Sequence, residues 1–172
     1  MLFNNSKKYY KNSIIIYFSR ADENYAVGYI EKGNTKIVAE YIKELTNADI
    51  FEVKPKNSYS KEYKICVKEA VERIKTHNAP ILEKIPDISK YDLIYIGSPV
   101  YCGIMPEELT TALKDVNFKG KEIKIFVTHE GSGLARIPDQ IKDICTGAKI
   151  IDSIAIIGSN ANNSKEEIKK WI

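Results

Sequence analysis

A chain of 172 residues with 44% hydrophobic and 28% charged residues makes one globular domain of ordinary size and excludes a disordered protein. Its formal net charge of +3 is too mild to argue for nucleic acid, and its lysines are spread without a dense basic block. Cys66, Cys102 and Cys145 are widely spaced and form no CxxC pair, so neither a zinc site nor a disulfide framework is indicated. A reducing cytoplasm is the natural compartment for such a chain. No apolar run is long enough to span a bilayer, and the N-terminus lacks the apolar core of a signal peptide.

Residues 1–12 are expected to form a loose basic arm, and residues 13–172 one domain. The continuous run Ile14–Phe18 suits a strand buried on both faces. Ser19-Arg20 ends it, and a polar and aromatic excursion, Ala21–Lys32, leads to Gly33-Asn34-Thr35. A helix is predicted over Asn34–Thr46, with Ile37, Val38, Tyr41, Ile42 and Leu45 as its apolar stripe and Asn34 or Thr35 as its cap. Ala48–Val53 reads as a short edge strand, and Ser60–Thr76 as a helix that buries Cys66. After a connecting loop, Ala79–Lys90, come a strand at Asp92–Gly97, the loop Ser98–Gly103 and a helix from Pro106. Ile123–Val127 is the fourth strand, followed by Thr128–Gly133 and a helix over Arg136–Cys145. Lys149–Ile157 and Ser164–Trp171 complete the pattern as strand and helix. Strands alternating with helices predict an α/β, three-layer doubly wound sandwich. Its five-stranded parallel sheet has the order 2-1-3-4-5 if the loops after strands one, three and four are to converge.

Those three loops carry the candidate chemistry. Gly28–Thr35 nearly matches the nucleoside-triphosphate pattern GxxxxGK[ST], but Asn34 stands where the lysine must be. A receiver domain needs a carboxylate where the third strand ends, and Gly97-Ser98 offers none. A monoester phosphate held without metal by Ser19, Thr35 and the free N–H groups of a helix N-terminus meets neither objection. In the second loop Tyr101 either stacks on a flat ring as an exposed crest or packs on a neighbouring loop. Cys102 beside it reads as a passive lining residue. In the third, Gly131 and Gly133 allow a ligand close to the backbone, and His129 with Glu130 is either an acid–base pair or a hydrogen-bonding pair. No metal is expected, because His77 and His129 lack ligand spacing.

Taken together, YFSR…GNT, IGSPVYCG and THEGSG, over Ser13–Ile172, resemble the flavodoxin-like FMN-binding proteins. The resemblance implies a tightly held, noncovalent FMN and no catalytic side chain. Its phosphate loop would be Ser19, Gly33, Asn34 and Thr35, with Arg20 beside them. Its first ring loop would be Ser98, Pro99, Val100, Tyr101, Cys102 and Gly103, with Tyr101 stacking. The second would be Thr128, His129, Glu130, Gly131, Ser132 and Gly133. The implied role is low-potential electron transfer between a reductase and an acceptor protein. The alternatives are a flavin-dependent NAD(P)H oxidoreductase acting on quinones or other small acceptors, or a flavin-binding module without turnover. Two features depart from the family pattern. The Ala21–Lys32 insertion, with Tyr25 and Tyr29, interrupts a phosphate loop that is usually compact. It folds over the ligand, docks a partner or is a passive excursion. The charge of +3 also departs from the acidic balance of many electron-shuttling relatives.

Overall fold

In a computed structural model, which describes residues 12–78 and 80–172, the chain runs through seven strands and five helices. These are β1 (Ser13–Tyr17), a hairpin of β2 (Asp22–Asn24) and β3 (Gly28–Ile30), α1 (Asn34–Thr46), β4 (Asp49–Glu52), α2 (Tyr63–Thr76) and β5 (Leu93–Pro99). Then follow α3 (Glu107–Leu113), β6 (Glu122–His129), α4 (Ile137–Ile144), β7 (Lys149–Ile157), a 3-10 turn over Gly158–Asn163 and α5 (Lys165–Trp171). Of the expected N-terminal arm only Asn12 is described; its carbonyl accepts from the Asp92 and Leu93 N–H groups. Ala79, at the start of the expected connecting loop, also lies outside the described residues.

The main sheet is parallel throughout, in the order β4-β1-β5-β6-β7, which is the 2-1-3-4-5 order expected. Side chains alternate across it with the period of a strand. Ile14, Ile16, Ile94, Ile96, Ile123 and Ile125 face one way and bury Cys66 and Ala70 of α2, Leu109 and Leu113 of α3, and Ile137 and Ile141 of α4. Ile15, Tyr17, Leu93, Tyr95 and Phe126 face the other way, against Val38 and Ile42 of α1 and Ile168 of α5. Two apolar layers between helices and sheet make the three-layer sandwich. Each fully buried isoleucine contributes roughly 1.5–3 kcal/mol.

Three local features differ from expectation. The Ala21–Lys32 excursion contains the β2–β3 hairpin, whose strands of three residues each are too short to show a period of two. Neither Asn34 nor Thr35 caps α1: Gly33 occupies the cap position, and the Ser19 hydroxyl accepts from Lys36 N at 3.1 Å in place of a local side chain. Helix α2 starts at Tyr63 rather than Ser60: the Glu23 carboxylate accepts from Tyr63 N–H at 2.7 Å, and the Ser60 N–H is held outside the helix by the Glu69 carboxylate at 2.8 Å.

One buried ionic cluster was not legible in the pattern. Glu108 of α3 has no exposed surface and pairs with Arg73 of α2. Tyr59 donates its hydroxyl to the other Glu108 oxygen at 3.1 Å, and the Arg73 guanidinium lies 4.0 Å over the Tyr59 ring. Burial raises the Glu108 carboxyl above its ordinary 4.5, outweighing the pull of Arg73 and Tyr59 in the other direction. Within that window the folded chain binds more proton than the unfolded one. The Glu108 contribution is therefore fully present below the ordinary value and is lost as pH rises through the raised one. Urea unfolding of the wild type and Glu108→Gln, from about pH 4 to about pH 8, is expected to show the stability difference between them shrinking with pH. Parallel pH profiles would contradict this.

Candidate functional site

The C-terminal ends of β1, β5 and β6 are held level. Phe18 N–H donates to Gly97 O and Val100 N–H to Thr128 O, each at 3.2 Å. Over these ends lies a cavity of about 420 Å³, a size that suits a small-molecule site.

The first wall begins where the chain returns from the hairpin. A Cβ on Gly33 would stand 2.6 Å from Arg20 O and closer still to Ser19 Oγ, so only glycine allows this approach. Gly33 thus shapes the loop without lining the cavity, whereas Ser19, Asn34 and Thr35 line it. With Lys36 N–H bonded to Ser19 and Ile37 N–H to Gly33 O, the N–H groups of Asn34 and Thr35 have no acceptor among the described residues. The first turn of α1 carries no acidic residue. Thr35 is buried and shares a 2.7 Å hydrogen bond with the hydroxyl of Thr128, tying the first loop to the third. Free helix N-terminal donors and hydroxyls, with no carboxylate in the first helical turn, are features that suit an anion, although the Glu130 carboxylate lines the same cavity.

Arg20 is divided between two tasks. Its Nη1 donates to Glu23 O at 2.5 Å, and its Nη2 to Ser60 O and Lys61 O at 2.5 and 3.0 Å. The guanidinium thereby fastens the hairpin to the start of α2. Its Nε is buried with no partner, on a residue that lines the cavity.

In the second loop Tyr101 and Ile104 exchange two backbone hydrogen bonds, at 2.9 and 3.0 Å. Cys102 and Gly103 between them have φ of 51° and 80°, so this is a two-residue turn of the primed kind. Pro99, Val100, Tyr101, Cys102 and Gly103 all line the cavity. Two expectations are corrected here. Tyr101 is not an exposed crest: its ring is half-buried, edge-on to Phe18 at 6.0 Å and to Tyr59 at 5.8 Å. Burial accordingly holds its phenol well above the usual range. Ser98 is fully buried within β5, donates to Pro99 O and does not line the cavity.

The third loop closes on itself. His129 Nδ1 accepts from Gly131 N–H at 2.9 Å and Gly133 N–H at 3.1 Å, which makes it the unprotonated ring nitrogen. Those two amides are therefore spent, and neither glycine lines the cavity. Glu130 accepts from the N–H and hydroxyl of Ser159, at 2.6 and 3.1 Å. The His129–Glu130 pair is thus engaged in loop hydrogen bonds; both residues, with Thr128 and Ser132, line the cavity.

One wall was left open by sequence reasoning at the hairpin and missed at α2. Asn24, Tyr25 and Ile30 of the hairpin and Tyr63, Cys66, Val67 and Ala70 of α2 complete the enclosure, with Gly158 at the far side. The first turns of α2 face the cavity, while Cys66 and Ala70 also belong to the core. The two tyrosines in an otherwise polar insertion were the available signal. Burial pushes the Cys66 thiol up and keeps it neutral, so it lines the wall passively. Among the described residues no three His, Cys, Asp or Glu side chains group as a metal site, and no helix is long and apolar enough to cross a membrane.

Comparison with known proteins agrees with the architecture. Solved structures of a Bacteroides eggerthii protein (18% identical) and a Bacteroides uniformis protein (20% identical) each superpose with a TM-score of 0.74. Both alignments cover 93% of this chain, with 94% and 96% of the respective partner. A flavoprotein from Lactobacillus acidophilus, solved in complex with FMN, is 23% identical, with a TM-score of 0.66 and coverage of 93% of this chain and 97% of that one. At these identities the likeness is one of fold. No curated protein sequence matches the chain. The family model for flavodoxin matches residues 25–172, which is most of the chain, and the chain belongs to the flavodoxin family.

Proposed function

We propose that this protein binds FMN at the strand-end cavity and carries electrons between redox partner proteins, a reductase and an acceptor, in a reducing cytoplasm. The observation that carries this reading is the anion site. Two unsatisfied N–H groups, of Asn34 and Thr35, and the hydroxyls of Ser19 and Thr35 stand beside a cavity large enough for a planar ring. No carboxylate in that first helical turn repels a phosphate. The residues present therefore fit the group. Ser19, Asn34 and Thr35 would hold the phosphate, with the free Arg20 Nε as a further donor. Val100–Gly103 with Thr128, His129, Glu130 and Ser132 would line the ring end. Bound there, FMN would supply one- and two-electron redox chemistry.

The chain's own part is to hold and orient. The Thr35–Thr128 hydrogen bond fixes the spacing between the phosphate end and the third loop. The Cys102–Gly103 turn is held in one conformation by its paired bonds to Ile104 and by Arg136 N–H donating to Gly103 O at 3.3 Å. Cys66, Cys102 and Cys145 are free thiols, in keeping with a reducing compartment.

Titration of the full chain with FMN and with riboflavin, which lacks the phosphate, tests the reading. FMN is expected to bind about a hundredfold more tightly, and Thr35→Val to weaken FMN about tenfold and riboflavin much less. Equal binding of the two flavins would remove the phosphate argument. Gly33→Ala forces a Cβ against the Arg20 carbonyl; it is expected to cost about 1–3 kcal/mol in thermal or urea unfolding and to weaken FMN as well. A variant as stable as the wild type would show that the loop can relax. For the carrier role, the FMN-loaded protein mixed with NADH or NADPH is expected to stay oxidised until a reductase is added. Rapid bleaching without one would replace the carrier by an NAD(P)H oxidoreductase acting on quinones or other small acceptors.

A further inference from the structure

We propose that the β2–β3 hairpin is the aromatic cover of this site: Tyr25 at its tip, backed by Tyr63 of α2, is the wall against which the flat ring of the bound flavin lies. The inference rests on the FMN reading and adds a ring-binding element to it.

The hairpin leaves the site and returns to it at one point, since Gly33 closes against Arg20. From there it leans toward α2. The Glu23 carboxylate accepts from Tyr63 N–H at 2.7 Å and so caps α2, while Glu23 N–H donates to Lys61 O at 3.2 Å. Arg20 bonds both elements, and Asn24 Nδ2 donates to Ala21 O at 3.1 Å within the foot of the hairpin. The tip is a three-residue reversal: Val27 N–H donates to Tyr25 O at 2.8 Å across Ala26, whose φ of 62° is unusual for alanine. This arrangement sets Tyr25 on the cavity, while Tyr29, on the same hairpin and 69% exposed, does not line it.

The Tyr25 and Tyr63 ring centroids are 6.1 Å apart, with planes tilted by 38°. A flat ligand between two rings would need about 3.5 Å on each side, roughly 7 Å in all. The two rings are therefore in contact with each other and act as one wall, with the ligand against them and not between them. Tyr25 remains 62% exposed, a large ring left with an open face at the rim of a cavity. The second loop offers no equivalent, because the Tyr101 ring is occupied by Phe18 and Tyr59; the third loop contains no Phe, Tyr or Trp, and its His129 ring is engaged by the Gly131 and Gly133 amides. Aromatic stacking on a heterocycle is tolerant of detail and worth about tenfold in affinity.

Fluorescence titration of the full chain with FMN and riboflavin tests the assignment. Tyr25→Ala is expected to weaken both flavins equally, about tenfold, because the loss is at the ring end, whereas Thr35→Val weakens FMN much more than riboflavin. Tyr25→Phe is expected to bind as the wild type does, Tyr25→Leu to fall between, and Tyr29→Ala to change nothing. Unfolding curves confirm that each variant is folded at the titration temperature, and Tyr25→Leu serves if the alanine variant is not. If Tyr25→Ala and Tyr25→Leu bind both flavins as tightly as the wild type while Thr35→Val still weakens FMN, the hairpin is not the ring wall and the FMN reading stands. If the wild type binds neither flavin, both fall together.

Discussion

The first wall of the cavity depends on one close approach, the passage of Gly33 against Ser19 and Arg20. A strand that ends in a loop must return before its helix can start, and here it returns after a complete hairpin. The return is tight enough that the Ser19 hydroxyl reaches Lys36 N–H and serves as the cap that α1 lacks. Because the cap comes from the preceding loop and engages the third helical N–H, the first two remain directed at the cavity. A local Ser or Asp cap that took the second N–H would have consumed one of them. The geometry that closes the loop is thus the geometry that leaves it able to hold an anion.

Arg20 shows how a charge can serve structure and site together. Its two terminal nitrogens are used on carbonyl oxygens of Glu23, Ser60 and Lys61, which neutralise no charge. The positive charge therefore persists at the rim. It draws the Cys66 thiol and Tyr101 phenol toward ionisation, but burial outweighs it at both, and the wall stays neutral. Arg20 and Glu130 thus place one charge of each sign on the lining, and the free donors at the start of α1 stand apart from any carboxylate of their own helical turn.

Much of the fold was legible because its determinants are local. Ile14–Tyr17 is an unbroken apolar run in the centre of the sheet, and the α1 stripe marks a helix whose ends match the observed Asn34 and Thr46. The candidate loops were legible because they follow strands one, three and four, and the strand order brings exactly those ends to neighbouring positions, as the register Tyr17–Gly97 and Pro99–Thr128 records. What was not legible depends on partners distant in sequence. The start of α2 is decided by Glu23, forty positions earlier in the chain. The facing of Tyr101 is decided by Tyr59, itself pinned by Glu108 and Arg73. Gly131 and Gly133 look like open backbone until His129 is seen to take both amides.

The cavity therefore has walls of two kinds. The ends of β1, β5 and β6 are set by ladders of parallel pairing and by the Thr35–Thr128 bond, so the anion end stands on the most rigid part of the molecule. The hairpin belongs to a separate two-stranded sheet with no pairing to the main one, and is held by a single arginine, a single carboxylate and a few backbone bonds. An opening of the hairpin would break few buried contacts, whereas a shift of the anion end would break the sheet. Binding energy gathered at the rigid end can thus position a ligand whose other end meets an adjustable surface. That division lets residues 21–32 vary without disturbing the ends of β1, β5 and β6.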